Sequence, residues 1–110
     1  MANVFRISYL PSVKSGADLG QQLVINTDEG TFYQSYHTIV CKVYRGKAFN
    51  WNIILSKDWI ISRTTKVYTA KFLERFGFSI HDSKDVETAI KMGVITLVDK
   101  ITFDMTMRTI

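Results

Sequence analysis

The sequence has a single cysteine, Cys41, and no apolar run that approaches the roughly 20 residues of a membrane-spanning helix. One cysteine cannot form an intrachain disulfide, which argues against a disulfide-stapled secreted protein. Residues 1–10 carry Arg6 among their apolar residues and lack a small-residue cleavage site, so they predict a strand and not a signal peptide. Together these absences predict an intracellular protein in a reducing compartment, with no membrane partner.

Residue types that carry catalysis or bind metals are also sparse. The two histidines, His37 and His81, lie far apart in the sequence. On one continuous strand, His37 and Cys41 would be about 13 Å apart, too far for a thiol–imidazole pair. No glycine-rich phosphate-binding motif and no helix-turn-helix, zinc-finger or RNP-type signature occurs. We therefore expect a protein that is not an enzyme and needs no metal or cofactor.

What is present is the composition of one folded unit. The chain has 110 residues, of which 46% are hydrophobic and 22% are charged. This length falls in the commonest size range for one domain and allows one substantial core. The sequence predicts a single domain over residues 1–110.

Alternation of apolar and polar residues predicts most of the strands. Strands are expected over residues 3–10, 21–27, 31–44 and 48–55, and two more over residues 94–98 and 100–107. Residues 11–20 contain Pro, Ser and Gly close together, a composition that predicts a loop. Arg45-Gly46-Lys47 predicts the turn of a β-hairpin.

Two helices are predicted between the fourth and fifth of these strands. Ser62 is the expected N-cap of a helix that ends before Gly77, with Thr65, Tyr68 and Phe72 on its apolar face and Ala70 on its polar face. Asp82 or Ser83 begins a shorter helix. The order β-β-β-β-α-α-β-β predicts the α+β class, with a mostly antiparallel sheet of five to six strands and both helices packed on one face.

The positive charge is unevenly distributed. The net charge is +4, but residues 42–75 hold eight basic and two acidic residues, and the segments on either side are each slightly acidic. This asymmetry is typical of a protein with an acidic partner, either nucleic acid or an acidic protein surface. A solvated surface that keeps the protein soluble is the alternative.

The candidate binding residues lie in and around this basic segment: Arg45, Lys47, Asn50, Asn52, Arg63, Lys66 and Lys71. Aromatic residues lie among the basic ones in this segment. Two roles are open for them, which are stacking on nucleic-acid bases and packing in the core. The start of the first helix, Ser62-Arg63-Thr64-Thr65, has hydroxyls and free amide groups that suit an anion. Packing of Thr64 and Thr65 against Trp59 and the hairpin is the alternative.

A longer motif resembles a known family. The stretch YQSYHT at residues 33–38, Trp59, SRTT at residues 62–65 and FL at residues 72–73 are similar to small uncharacterised proteins encoded by bacteriophages and mobile elements. These share an S-Y-x-T strand followed by W-x-x-S-x-T-T and a helix. The resemblance covers residues 32–77 and carries no established activity. It implies a phage-type accessory protein in the host cytoplasm.

Three functional hypotheses follow. The first is a non-enzymatic binder of a host or defence-system protein or nucleoprotein, such as an anti-defence inhibitor of the anti-CRISPR kind. The second is a direct nucleic-acid-binding protein that uses the basic, aromatic-rich segment. The third is a structural or assembly protein that forms homo-oligomers through its free sheet edges.

Overall fold

The computed structural model describes residues 4–11, 18–46 and 50–101. These residues form a six-stranded sheet and two helices. The strands are β1 (Val4–Pro11), β2 (Asp18–Thr27), β3 (Gly30–Ser35), β4 (Thr38–Arg45), β5 (Trp51–Ser56) and β6 (Ile95–Val98). A 3₁₀ turn (Lys57–Ile60) and the helices α1 (Arg63–Glu74) and α2 (Ser83–Lys91) lie between β5 and β6. The predicted α+β class is confirmed.

The strands follow one another across the sheet in chain order. Neighbours from β1 to β5 are antiparallel, as short connections require, and β6 pairs with β5 in parallel. The parallel pair arises because the chain crosses over through both helices before it returns to the sheet. The sheet is therefore mostly antiparallel, as predicted.

The predicted strand over residues 31–44 was wrong as a single element. It is a hairpin, in which β3 and β4 pair directly at Ser35 and Thr38 and leave Tyr36 and His37 as the turn. Tyr36 has a backbone φ of 54°, a value that residues other than glycine rarely adopt. This turn contains neither glycine nor proline, the residues that most often mark a turn in a sequence, so the prediction missed it. Five strands therefore precede the helices.

Other boundaries also differ from the predictions. Pro11 belongs to β1 and β2 begins at Asp18, so both ends of the predicted loop over residues 11–20 lie in strands, and residues 12–17 lie outside the described residues. The predicted strand over residues 100–107 lies outside the described residues from residue 102 onward. The N-caps are as expected, because Ser62 Oγ accepts a hydrogen bond from the Thr65 amide and the Asp82 carboxylate accepts one from the Asp85 amide.

The main core lies between the helices and one face of the sheet, which we call the helix face. Buried residues of both helices meet the sheet there, among them Phe72 and Val86 opposite Tyr33, Cys41 and Leu55. The Phe72 ring stacks on the Tyr33 ring at a centroid distance of 5.7 Å. Ala70, expected on the polar face of α1, is buried in this core. It lies on the side of α1 that faces the segment leading into α2.

The opposite face of the sheet, which we call the outer face, carries a smaller apolar cluster. Ile25 of β2 and Phe32 of β3 pack there against Ile101. Gly30 begins β3 with a φ of +141°. A Cβ at this position would stand 2.7 Å from the carbonyl oxygen of Val43, so the close approach of β4 requires glycine.

Candidate functional site

The chain exposes two large aliphatic side chains where it passes from β5 into α1. Ile60 is 60% exposed and Ile61 is 73% exposed. They stand on a fixed support, because Trp59 of the same turn is buried in the core and Ser56 Oγ accepts a hydrogen bond from the Asp58 amide at 3.1 Å. Exposed aliphatic residues on a rigid turn are a feature of interaction surfaces and contribute nothing to the core.

A groove of about 620 Å³ runs beside these isoleucines, between α1 and the segment that leads into α2. Its lining residues are Ile60, Ile61, Ser62, Arg63, Lys66, Val67, Ala70, Lys71, His81, Asp82 and Ser83. The cations Arg63, Lys66 and Lys71 come from α1, whereas Asp82 is the only carboxylate among the described residues of the lining. The groove is therefore net positive, and the half-buried Val67 adds an apolar side chain beside the buried Ala70.

A smaller pocket of about 310 Å³ lies on the other side of Ile61. It is lined by Ser35, Tyr36, Thr38, Val40, Asp58, Ile61, Ser62 and Thr65. Because Ile61 and Ser62 line both concavities, the two form one continuous surface. We call it the α1-start surface and define it by Tyr36, Ile60, Ile61, Arg63 and Lys66.

Hydroxyl groups tie the two halves of the sequence motif together beneath this surface. Thr65 Oγ1 lies 3.0 Å from Ser62 Oγ and 3.5 Å from Ser35 Oγ, and Thr69 Oγ1 donates to the Thr65 carbonyl. Thr65 is buried and Thr64 is exposed. The structure thus favours packing over anion binding for Thr65, and it joins the hairpin turn to the start of α1.

The seven candidate residues fall in separate places. Arg63, Lys66 and Lys71 line the groove together. Arg45 is at the end of β4, where its guanidinium lies 4.4 Å from the centroid of the Trp51 ring. Trp51 in turn contacts Phe76 and Phe78, beyond the C-terminal end of α1.

Since α1 is about 18 Å long, Arg45 and Arg63 mark opposite ends of the helix layer. Asn50 is exposed beside Arg45, and Asn52 is half-buried in β5 with its amide donating to the Asn50 carbonyl. Lys47 lies outside the described residues. The candidates therefore do not form one continuous surface.

The aromatic residues in and around the basic segment fall into a buried group and an exposed group. Trp59, Tyr68 and Phe72 are buried, and they pack in the core. Trp51 remains 43% exposed under the Arg45 guanidinium. Tyr36 is 58% exposed, and the sequence interpretation missed it as a surface residue because it was assigned to the middle of a strand.

Cys41 and His37, the thiol and imidazole considered in the sequence, lie in different environments. Cys41 is fully buried, and this burial raises the pKa of its thiol far above the ordinary value. His37 is exposed in the hairpin turn. Within residues 4–11, 18–46 and 50–101, no group of three or more His, Cys, Asp or Glu residues is placed to hold a metal ion. In the same ranges no helix is both long and apolar enough to cross a membrane.

An ion pair links the end of α1 to the entry of α2 at the rim of the groove. His81 Nδ1 lies 3.0 Å from Glu74 Oε2. The hydrogen bond that the His81 ring donates to the Glu74 carboxylate raises the pKa of His81, and the charges of Asp85 and Asp82 raise it further. The same bond lowers the pKa of Glu74, and Lys71 adds to that effect.

We expect the His81 pKa, measured by NMR titration of its ring protons, to lie above the ordinary value of 6.5. The stabilisation from His81 is present below pH 6.5 and is lost as the pH rises through the raised pKa. The contribution of Glu74 is present above its ordinary pKa of 4.5 and is lost as the pH falls through its lowered pKa. Glu74→Gln should bring the His81 pKa back toward 6.5, and an unchanged pKa in this variant would contradict the pairing.

The chain belongs to a family of unknown function (DUF8033), whose model matches residues 10–88 and so covers well over half of the chain. The match includes the whole α1-start surface and leaves out most of β1 and all of β6. No curated protein and no solved structure matches the chain. The phage origin expected from the motif stays a prediction.

Proposed function

We propose that this protein is a non-enzymatic binding protein that recognises another protein through the α1-start surface. The observation that carries the proposal is the combination of exposed Ile60 and Ile61 with a groove whose α1 wall is cationic. Apolar anchors beside positive charges suit a protein segment that is itself apolar and acidic.

The composition of the surface supports a protein partner over a nucleic acid. Protein interfaces are enriched in Tyr and Arg, and their energetic centres are anchors that become fully desolvated. Tyr36, Ile61 and Arg63 provide such a set. A phosphate backbone is bound mainly by rows of Lys and Arg, and exposed isoleucines would add little to that contact.

The charges define the partner further. Arg63 and Lys66 lie in the groove, and within the part of the chain that the structure describes only one carboxylate, Asp82, lines it with them. Lys71 is 3.5 Å from Glu74 Oε1, which offsets part of its charge. An acidic segment would therefore interact most strongly near Arg63 and Lys66, where α1 begins.

The resemblance to phage-encoded proteins supports a host target. A small chain of this kind acts in the host cytoplasm on a host or defence-system protein or nucleoprotein, and an anti-CRISPR-type inhibitor is one instance. Blocking such a target requires affinity and shape, and it requires no chemistry at the α1-start surface.

Site-specific photo-crosslinking tests the class of partner. With benzoylphenylalanine in place of Ile61, irradiation in a bacterial lysate should give a discrete adduct that protease degrades and nuclease leaves intact. The same photo-crosslinker in place of Thr96, which is exposed on β6, is the matched control and should give no such adduct. An adduct that nuclease removes would favour the nucleic-acid hypothesis instead.

A further inference from the structure

The strand β1 forms an edge of the sheet and exposes an unusual number of apolar side chains. It pairs with β2 on one side, and among the described residues no strand pairs with its other side. Val4 is 46%, Phe5 70%, Ile7 57% and Tyr9 45% exposed. Edge strands of monomeric proteins usually avoid such residues, because unpaired backbone groups beside apolar side chains template pairing with another strand.

The order of residues in β1 is nearly symmetric about Ile7. An aromatic residue stands two positions before it, at Phe5, and another two positions after it, at Tyr9. Ile7 and Tyr9 pair with Ile25 and Leu23 of β2, which places both side chains on the outer face. A sequence that is symmetric about its centre matches itself when a second copy runs antiparallel, as a two-fold axis requires.

We propose that two copies of this chain pair antiparallel through their β1 strands, with the two-fold axis at Ile7, and form one continuous twelve-stranded sheet. In this register Ile7 faces Ile7 of the second copy, and Phe5, which lies at the β-bulge between Val4 and Arg6, comes near Tyr9 of the second copy. Aromatic pairs of this kind stabilise antiparallel strands. Arg6 faces Ser8 of the second copy, so no like charges meet.

Shifting the strands by two residues in either direction gives poorer contacts. A two-fold axis at Arg6 would bring two guanidinium groups together, and like charges directly opposite are destabilising. An axis at Ser8 would leave Phe5 without an aromatic partner and would place Arg6 opposite Leu10. The sequence of β1 thus selects the register centred on Ile7.

The size of the contact predicts a weak dimer. Even if pairing covered all of the exposed surface of Val4, Phe5, Ile7 and Tyr9, it would bury only roughly 800 Å² of side-chain surface in total, below the ~1,200 Å² typical of stable complexes. The register shifts between Val4 and Arg6 and between Tyr9 and Pro11 leave only Arg6 to Tyr9 as a regular stretch of β1, so the regular pairs of the dimer are Ile7 with Ile7 and Arg6 with Ser8. The dimer should therefore form at high protein concentration and dissociate on dilution.

Cysteine cross-linking tests both the dimer and its register. The native Cys41 is fully buried, so an introduced thiol is the accessible one. At high protein concentration under mild oxidation, Ile7→Cys should give at least fivefold more disulfide-linked dimer than Arg6→Cys or Ser8→Cys. Ile60→Cys is the matched control, because Ile60 is 60% exposed and lies in a different part of the molecule.

Sedimentation velocity of the unmodified protein supplies a second measurement. We expect the average mass to rise toward twice the monomer mass with concentration, and Ile7→Lys should shift this rise to at least tenfold higher concentration. A monomer at every concentration, equal cross-linking from all four cysteine variants, or a yield that peaks at Arg6 or Ser8 would overturn the proposal. The dimer does not depend on the α1-start surface, so Ile61→Lys should leave it unchanged.

Discussion

Phe72→Ala is expected to lower the free energy of unfolding by about 3–5 kcal/mol, which is typical of removing a fully buried aromatic ring. Phe72 is fully buried at the centre of the helix face. Its ring contacts the rings of Tyr33 and Phe76, at centroid distances of 5.7 and 5.2 Å. The cavity left by alanine would separate α1 from the sheet at the point where they meet.

Urea unfolding followed by tryptophan fluorescence, to which the buried Trp59 and the partly exposed Trp51 both contribute, measures this effect. The matched control is Phe5→Ala at low protein concentration, because Phe5 is 70% exposed and its removal should change the free energy of unfolding by less than about 0.5 kcal/mol. Equal losses in the two variants would contradict the placement of α1 on the helix face.

The second large effect concerns binding. Arg63→Glu combined with Lys66→Glu should weaken the affinity for the protein partner about a hundredfold, which corresponds to about 2.8 kcal/mol. The change turns the cationic wall of the groove acidic, so an acidic segment that it attracted is repelled. Arg63 is exposed and Lys66 is half-buried at the surface of α1, so the fold should remain intact.

Arg45→Glu is the matched control for this double substitution. It reverses a charge of the same basic segment, but at the opposite end of the helix layer, beside Trp51. We expect a change of less than threefold in affinity. A loss as large as that of the double variant would show that the overall positive field matters more than the groove.

The helices and their caps could be predicted because their signals are local. Ser62 and Asp82 stand where an N-cap is needed, and the spacing of Thr65, Tyr68 and Phe72 matches the period of a helix. The alternation of apolar and polar residues in the strands is also a local signal, and it predicted the fold class for the same reason. Each of these features depends on neighbours within a few residues in the sequence.

The features that were missed depend on contacts between distant segments. The turn at Tyr36 and His37 contains no glycine, and the pairing of β3 with β4 imposes it. The parallel pairing of β6 with β5 is likewise a property of the whole sheet. Ala70 is buried although its helical position suggested solvent, because the entry of α2 lies beside it.

The candidate site was predicted only in part. The basic residues Arg63, Lys66 and Lys71 were expected to bind, and the structure places them in one groove. The isoleucines that accompany them gave no signal, because an Ile-Ile pair in a sequence usually indicates core. Only the 3₁₀ turn, which buries Trp59 and turns Ile60 and Ile61 outward, reveals them as a surface.

The most direct test of the α1-start surface compares photo-crosslinking from position 61 in two backgrounds. We predict that the protein adduct formed by the otherwise unchanged chain falls at least tenfold when Arg63→Glu and Lys66→Glu are added, and persists when Arg45→Glu is added instead. An adduct of equal yield in all three chains would contradict the account, because the partner would then bind without the charges of the groove.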